Sequence, residues 1–199
     1  MEALLHKLTA QVNPERLRDL TLDLVRIPSP TGEAVDVTEF YAATVRKLGL
    51  PVDVLYDYPR SPSSVARLTK RAGARTLTLD GHLDTIHAGH VPPYVEGKRI
   101  YGRGSGDMKS GIAAMVEAAR ILVENDVPLA GNLTLVTHSL HEAPVGHMEG
   151  LKALIARGDV FGDAAIVAEG GFDSLYICGK GNRCSRLTSP ARAKCCTRT

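Results

Sequence analysis

The sequence predicts an α/β layered sandwich around a central mixed, mostly parallel sheet. Three observations carry that expectation. Amphipathic helical runs alternate with short strand-like runs along the chain, the pattern that layers helices on a sheet. The 199 residues are 44% hydrophobic and 23% charged, which suits one soluble core of ordinary size. Several of the strand-like runs end in His, Asp or Glu, and open α/β sheets build their sites beyond the carboxyl ends of strands.

The elements follow in order. Residues 15–27, ERLRDLTLDLVRI, place Leu17, Leu20, Leu24 and Ile27 on one helical face. Pro28 and Pro30 stop that helix, and Thr31-Gly32 turns the chain. A second helical period runs through Val37, Phe40, Tyr41, Val45 and Leu48, with Gly49 as its cap. VDVLY and SSVARLTK read as strands around a Pro/Ser-rich turn, and TLTLDGHLDT as a third before a loop rich in Gly, Pro and His. From Ser110, Ile112, Met115, Val116, Ala119, Leu122 and Val123 form a broad apolar helical face. NLTLVTHSL is a strand, MEGLKALIAR a helix closed by Gly158, and AAIVAE a short buried strand.

Composition excludes several function classes. The net charge is +2, but the last stretch, RCSRLTSPARAKCCTRT, holds five basic residues and no acid. The body is therefore slightly acidic, which is the wrong balance for a nucleic-acid binder. No run of about 18 apolar residues exists to span a membrane. The N-terminus has no charged region followed by an apolar one, so a cytoplasmic location is expected. Cys184, Cys195 and Cys196 fit no zinc spacing, and Cys178 ends an apolar run as a core thiol.

The chemistry gathers at four places: His82 with Asp84, Asp107 in YGRGSGDMKSG, His141 with Glu142, and Glu169. Each has a bland alternative: a satisfied strand-end histidine, a helix N-cap aspartate, a turn glutamate. Together they give the ligand set that a hydrolytic metal site needs. His82 and Asp84, two residues apart at a strand end, share a face. The imidazole can hold a metal through one nitrogen while the carboxylate accepts a hydrogen bond from the other. The glycines of the loop match no nucleotide motif and serve to present Asp107. His87 and His90 lie in the loop after the motif; His6, His138 and His147 have ordinary structural readings.

GHLDTIHAG, then YGRGSGDMKSGIAAMVEAA, a Glu-bearing dyad and AAIVAEGG, with LVRIPSPTGEA before them, resemble the M20 metallopeptidases. That group includes acetylornithine deacetylase, succinyl-diaminopimelate desuccinylase, aminoacylase and carboxypeptidase relatives. The resemblance covers roughly residues 15–180. It implies a zinc-exopeptidase-like catalytic domain, homodimeric in the family, whose two zinc ions (cobalt or manganese could replace them) hydrolyse amide bonds in N-acyl amino acids or small peptides. By that analogy His82 binds one metal, Asp107 bridges both, and Glu169 binds on the side of His82. Glu142 would lie across Asp107, Asp84 would support His82, and the Asp107–Met108 peptide would be cis.

Two departures from the family pattern matter. The family has two adjacent glutamates, a general base and then a ligand, where this chain reads SLHEAPVG. If Glu142 is the base, Ala143 stands at the ligand position; if Glu142 is the ligand, His141 stands at the base position. A neutral imidazole can take a proton from water and alanine can ligate nothing, so chemistry favours the second register. The other departure is length. The family chain continues into a lid and dimerisation domain and returns with a last histidine ligand. Residues 1–182 are therefore expected to be the N-terminal part of the catalytic domain, with no lid or dimerisation domain. Residues 183–199 are expected to be an irregular, non-native tail. On that reading the chain alone is a truncated member without significant amidase activity. The alternative is a non-catalytic fragment or pseudoenzyme that at most binds a metal weakly.

Overall fold

Strands Val52–Leu55 (β1), Ser63–Leu68 (β2), Thr76–His82 (β3), Asn132–His138 (β6) and Ala164–Val167 (β7) form one sheet in the order β1-β2-β6-β3-β7. A computed structural model describes residues 2–160 and 162–169. β3 pairs in parallel with β6 and β7, while β1–β2 and β2–β6 are antiparallel. Only β2 therefore runs against the rest, and the sheet is mixed and mostly parallel in direction, as the sequence predicts. Met1–Glu169 form one compact unit. The expected boundary at residue 183, the tail and Cys178 lie outside the described residues.

Alternation sorts the two faces of the sheet. Leu79 of β3, Leu133 and Leu135 of β6 and Ala66 of β2 pack against helices Pro14–Arg26 (α2), Val35–Arg46 (α3) and Ser110–Glu124 (α4), through Leu24, Tyr41, Val45, Ile112 and Met115. On the other face Val65 and Val136 meet Leu154 of helix Glu149–Arg157 (α5). Asn13 caps α2 by accepting from the N–H groups of Glu15 and Arg16, and Pro14 fills a first-turn position that needs no donor.

Three features depart from the sequence reading. Residues Glu2–Thr9 form a short helix (α1). The Gly/Pro/His-rich loop contains a hairpin, Tyr94–Glu96 (β4) with Arg99–Tyr101 (β5), turned at Gly97 with φ +59°. AAIV forms β7, but its four side chains are exposed rather than buried. Among the described residues β7 pairs only with β3 and lies at the edge of the sheet they form, and its apolar composition does not bring burial.

Helix α4 is tied to the start of α2 by a half-hidden charge network. Arg120 meets both carboxylate oxygens of Glu117 at 2.8 and 2.9 Å, and the Asn13 N–H and Arg16 add further contacts at 2.9 and 3.3 Å. The bidentate Arg120, against the opposing effect of burial and with help from Arg16 and Asn13, lowers the Glu117 pKa to about 2. A carboxyl depressed in the folded state gives stability above its unfolded value of 4.5 and loses it as pH falls toward 2. Glu117→Gln is expected to cost on the order of 2 kcal/mol at pH 7 and to flatten the acid limb of denaturant-measured stability between those values.

Candidate metal centre

The site begins where β3 ends. His82 is its last residue and is 1% exposed. Its main-chain N–H donates to Met108 Sδ at 3.2 Å. Its Nδ1 lies 2.8 Å from the main-chain carbonyl of Asp84, with the carboxylate Oδ1 3.6 Å away. The backbone of Asp84, rather than the side chain expected from the sequence, therefore fixes the ring. Nε2 is left to face Asp107 Oδ1 at 3.0 Å.

The Asp84 carboxylate organises the neighbouring loop instead. Its Oδ2 accepts from Thr31 Oγ1 at 2.8 Å and from the main-chain N–H groups of His141 and Glu142 at 3.0 and 3.2 Å. Its Oδ1 is buried without a partner. Burial opposes ionisation here, but the adjoining His82 imidazole and the hydrogen bond from Thr31 outweigh it and lower the pKa. One ionised carboxylate thus holds the dyad against the end of β3.

Asp107 comes from the turn Ser105–Lys109 that leads into α4, and its peptide with Met108 is cis. Gly104, at φ +83°, starts the turn, and a side chain there would run into Thr85. Met108 is buried beneath Gly81, where a Cβ would meet both Met108 and Ile112. The turn is therefore packed from below while the Asp107 side chain stays 60% exposed.

The rings of His82 and His141 stack at 4.1 Å and 3°. His138, which the sequence reading left as structural, packs at 43° to His141 with centroids 5.3 Å apart. Two groups of ligand atoms lie within 4.8 Å of one another: His82 with Asp107 and Glu142, and His82 with His141 and Glu169. The sequence reading puts Glu169 with His82 and Asp107, and Glu142 beyond Asp107. The structure gathers the same residues around His82 but divides them differently.

Charge at the site calls for a cation. Burial disfavours protonation of His82, yet hydrogen bonding and attraction from Asp84, joined by Asp107, raise its pKa to about 9. Burial first, then the nearby Asp107, Asp84 and Glu169, raises the pKa of Glu142. Burial, reinforced by His82 and His138, lowers His141 to about 4 and keeps its ring neutral. Its Nδ1 is buried without a partner. A buried imidazole whose Nε2 faces Asp107, an orphaned imidazole nitrogen and three crowded carboxylates form a donor set that fits divalent cations.

The profile of peptidase family M20/M25/M40 matches residues 78–181, more than half of the chain and all six residues from His82 to Glu169 named above. A succinyl-diaminopimelate desuccinylase of Corynebacterium glutamicum is 35% identical over 134 residues, covering 66% of this chain and 35% of that protein. An N-formyl-4-amino-5-aminomethyl-2-methylpyrimidine deformylase of Halalkalibacterium halodurans is 34% identical over 170 residues, covering 79% and 39%. A tripeptidase structure from Staphylococcus aureus superposes with a TM-score of 0.64 at 24% identity, covering 80% of this chain and 44% of that one, a likeness of fold. The chain spans less than half the length of these relatives. With the profile running from within β3 past the end of β7 and over more than half of its length, the chain belongs to the M20/M25/M40 peptidase family.

Proposed function

We propose that these residues are the metal centre of a hydrolase that cleaves amide bonds in N-acyl amino acids or small peptides. One observation carries the reading: His82, Asp107, Glu142, His141 and Glu169, from four separate segments, converge at the carboxyl ends of strands that run the same way. His82, Asp107, Glu142 and Glu169 are the ligands, and zinc is the expected metal, with cobalt or manganese able to replace it. Two cations held by these residues would supply Lewis acidity, lowering the pKa of water and stabilising developing oxyanion charge. The desuccinylase and deformylase relatives, whose names both describe removal of an acyl group, support this substrate class. A cytoplasmic location belongs to the same proposal.

The protein groups divide the remaining work. The Asp84 carbonyl holds His82 with Nε2 toward the ions, and the Asp84 carboxylate presents the dyad. His141 stands at the base position. Imidazole lone pairs lie in the ring plane, and two parallel rings 4.1 Å apart cannot both aim at one point. If His82 holds an ion, His141 would keep its lone pair for a proton, even though their nitrogens are close.

Ala143 favours a second reading, a pseudoenzyme that binds metal weakly, because it removes one of the family's paired glutamates. The test is hydrolysis of N-acetyl and N-succinyl amino acids and dipeptides, before and after chelation, by a version of the chain extended to the length of its relatives. Turnover that chelation abolishes and zinc, cobalt or manganese restores supports the hydrolase. Chelator-insensitive turnover contradicts it, and zinc binding without turnover selects the second reading.

A further inference from the structure

The side chain of Lys109 is 1% exposed, inside a core where a methionine or leucine would ordinarily sit. Its ammonium donates to the main-chain carbonyls of Leu24 at 2.9 Å and Ile27 at 3.0 Å, the free acceptors at the C-terminal end of α2. Burying an ammonium is costly, and an apolar residue of the same volume avoids that cost. Packing alone therefore gives no reason for a lysine here.

The chain just after those carbonyls grips the other half of the site. Ser29 Oγ donates to the Leu83 carbonyl at 2.8 Å, and the Thr85 N–H donates to the Ser29 carbonyl at 2.8 Å. The Thr31 N–H donates to the Thr85 carbonyl at 2.9 Å, and its hydroxyl holds the Asp84 carboxylate. Residues 24–31 are thus one strap with two attachments. One end holds the segment after His82, and the other holds Lys109, two residues beyond Asp107.

We propose that Lys109 is a positioning residue that fixes Asp107 opposite His82 by tying the turn Ser105–Lys109 to the end of α2. The Lys109 N–H also donates to the Gly104 carbonyl at 2.9 Å, closing the turn on itself. Among the described residues the ammonium is then the one polar tie from this turn to the strap, and the 3.0 Å approach of Asp107 to His82 depends on it. This inference rests on the reading of Asp107 as a metal ligand.

The test measures zinc affinity of the 199-residue chain by calorimetry, beside Lys109→Met, which keeps the volume and removes the donors. Glu117→Gln serves as a control that loosens α4 far from the strap. Lys109→Met is expected to bind zinc about 10–100-fold more weakly, the range typical of groups that orient ligands. Glu117→Gln is expected to lose thermal stability and keep the parent's affinity within about twofold, within the spread of unperturbed sites. Lys109→Gln, with a shorter donor, should fall between the parent and Lys109→Met, and it carries the test if the methionine variant does not fold. Unchanged affinity in the Lys109 variants overturns the proposal while leaving the metal centre standing. Equal weakening in Glu117→Gln overturns it as well, because general loosening then explains the loss. No zinc binding by the parent chain removes the metal centre itself, and this proposal with it.

Discussion

Glu142→Gln is expected to strip one of two ions, weakening its binding by about 100-fold or more, because a ligand carboxylate is lost outright. The amide keeps the volume and the main-chain N–H that donates to Asp84, so the loop stays in place. His141→Ala should behave differently. It leaves that backbone bond intact, spares metal content and lowers turnover by about 10²–10⁴-fold, the usual contribution of a positioned base. Metal analysis and turnover, measured on both variants in an extended, active version of the chain, separate the two registers of the dyad. Full metal with near-zero turnover in Glu142→Gln would make Glu142 the base. Loss of metal in His141→Ala would put the second imidazole among the ligands, as its closeness to Glu169 allows.

Gly111→Ala is expected to lower the melting temperature by about 4–8 °C, although alanine is the better helix former. Gly111 lies in the first turn of α4, where a Cβ would collide with the Ala168 carbonyl oxygen. The propensity gain is about 1 kcal/mol. Overpacking costs roughly 1–3 kcal/mol, and the upper part of that range applies when the obstacle is backbone. The Ala168 N–H is itself bonded to the Asp80 carbonyl at 3.0 Å, so the segment cannot easily retreat. A net loss of about 2 kcal/mol corresponds to that shift in melting for a chain of this size. The displaced residue adjoins Glu169, so zinc affinity should fall as well. A rise in melting temperature would show that propensity wins and that the close approach is not real.

What the sequence made legible follows physical rules of short range. The helical faces of α2, α3 and α4 and the strands β3 and β6 were readable because each buries one stripe or alternates at period two. His82 and Asp107 stood out because polar ligands at strand ends and before helices break those patterns. Less visible were features set by tertiary contact. Lys109 reads as a surface residue by composition, and only the fold brings α2's carbonyls to its ammonium. Thr31 looks like a turn residue, and its bond to Asp84 spans 53 positions. Side-chain periodicity puts His82 and Asp84 on one face but says nothing about which carbonyl a ring nitrogen meets. The hairpin at residues 94–101 did carry a signal, alternation around Gly97-Lys98, hidden among prolines and histidines. The apolar run of β7 indicates a strand but not its exposure, nor its place at the edge of the sheet that the described residues form.

The central claim is that His82 anchors a two-ion centre at the ends of the parallel strands. Anomalous diffraction at the zinc edge, from crystals of the zinc-loaded protein, tests it most directly. The account predicts two peaks, one against His82 Nε2 and both within reach of Asp107, with Glu142 and Glu169 on them. A lone peak elsewhere, or none beside His82, would contradict it.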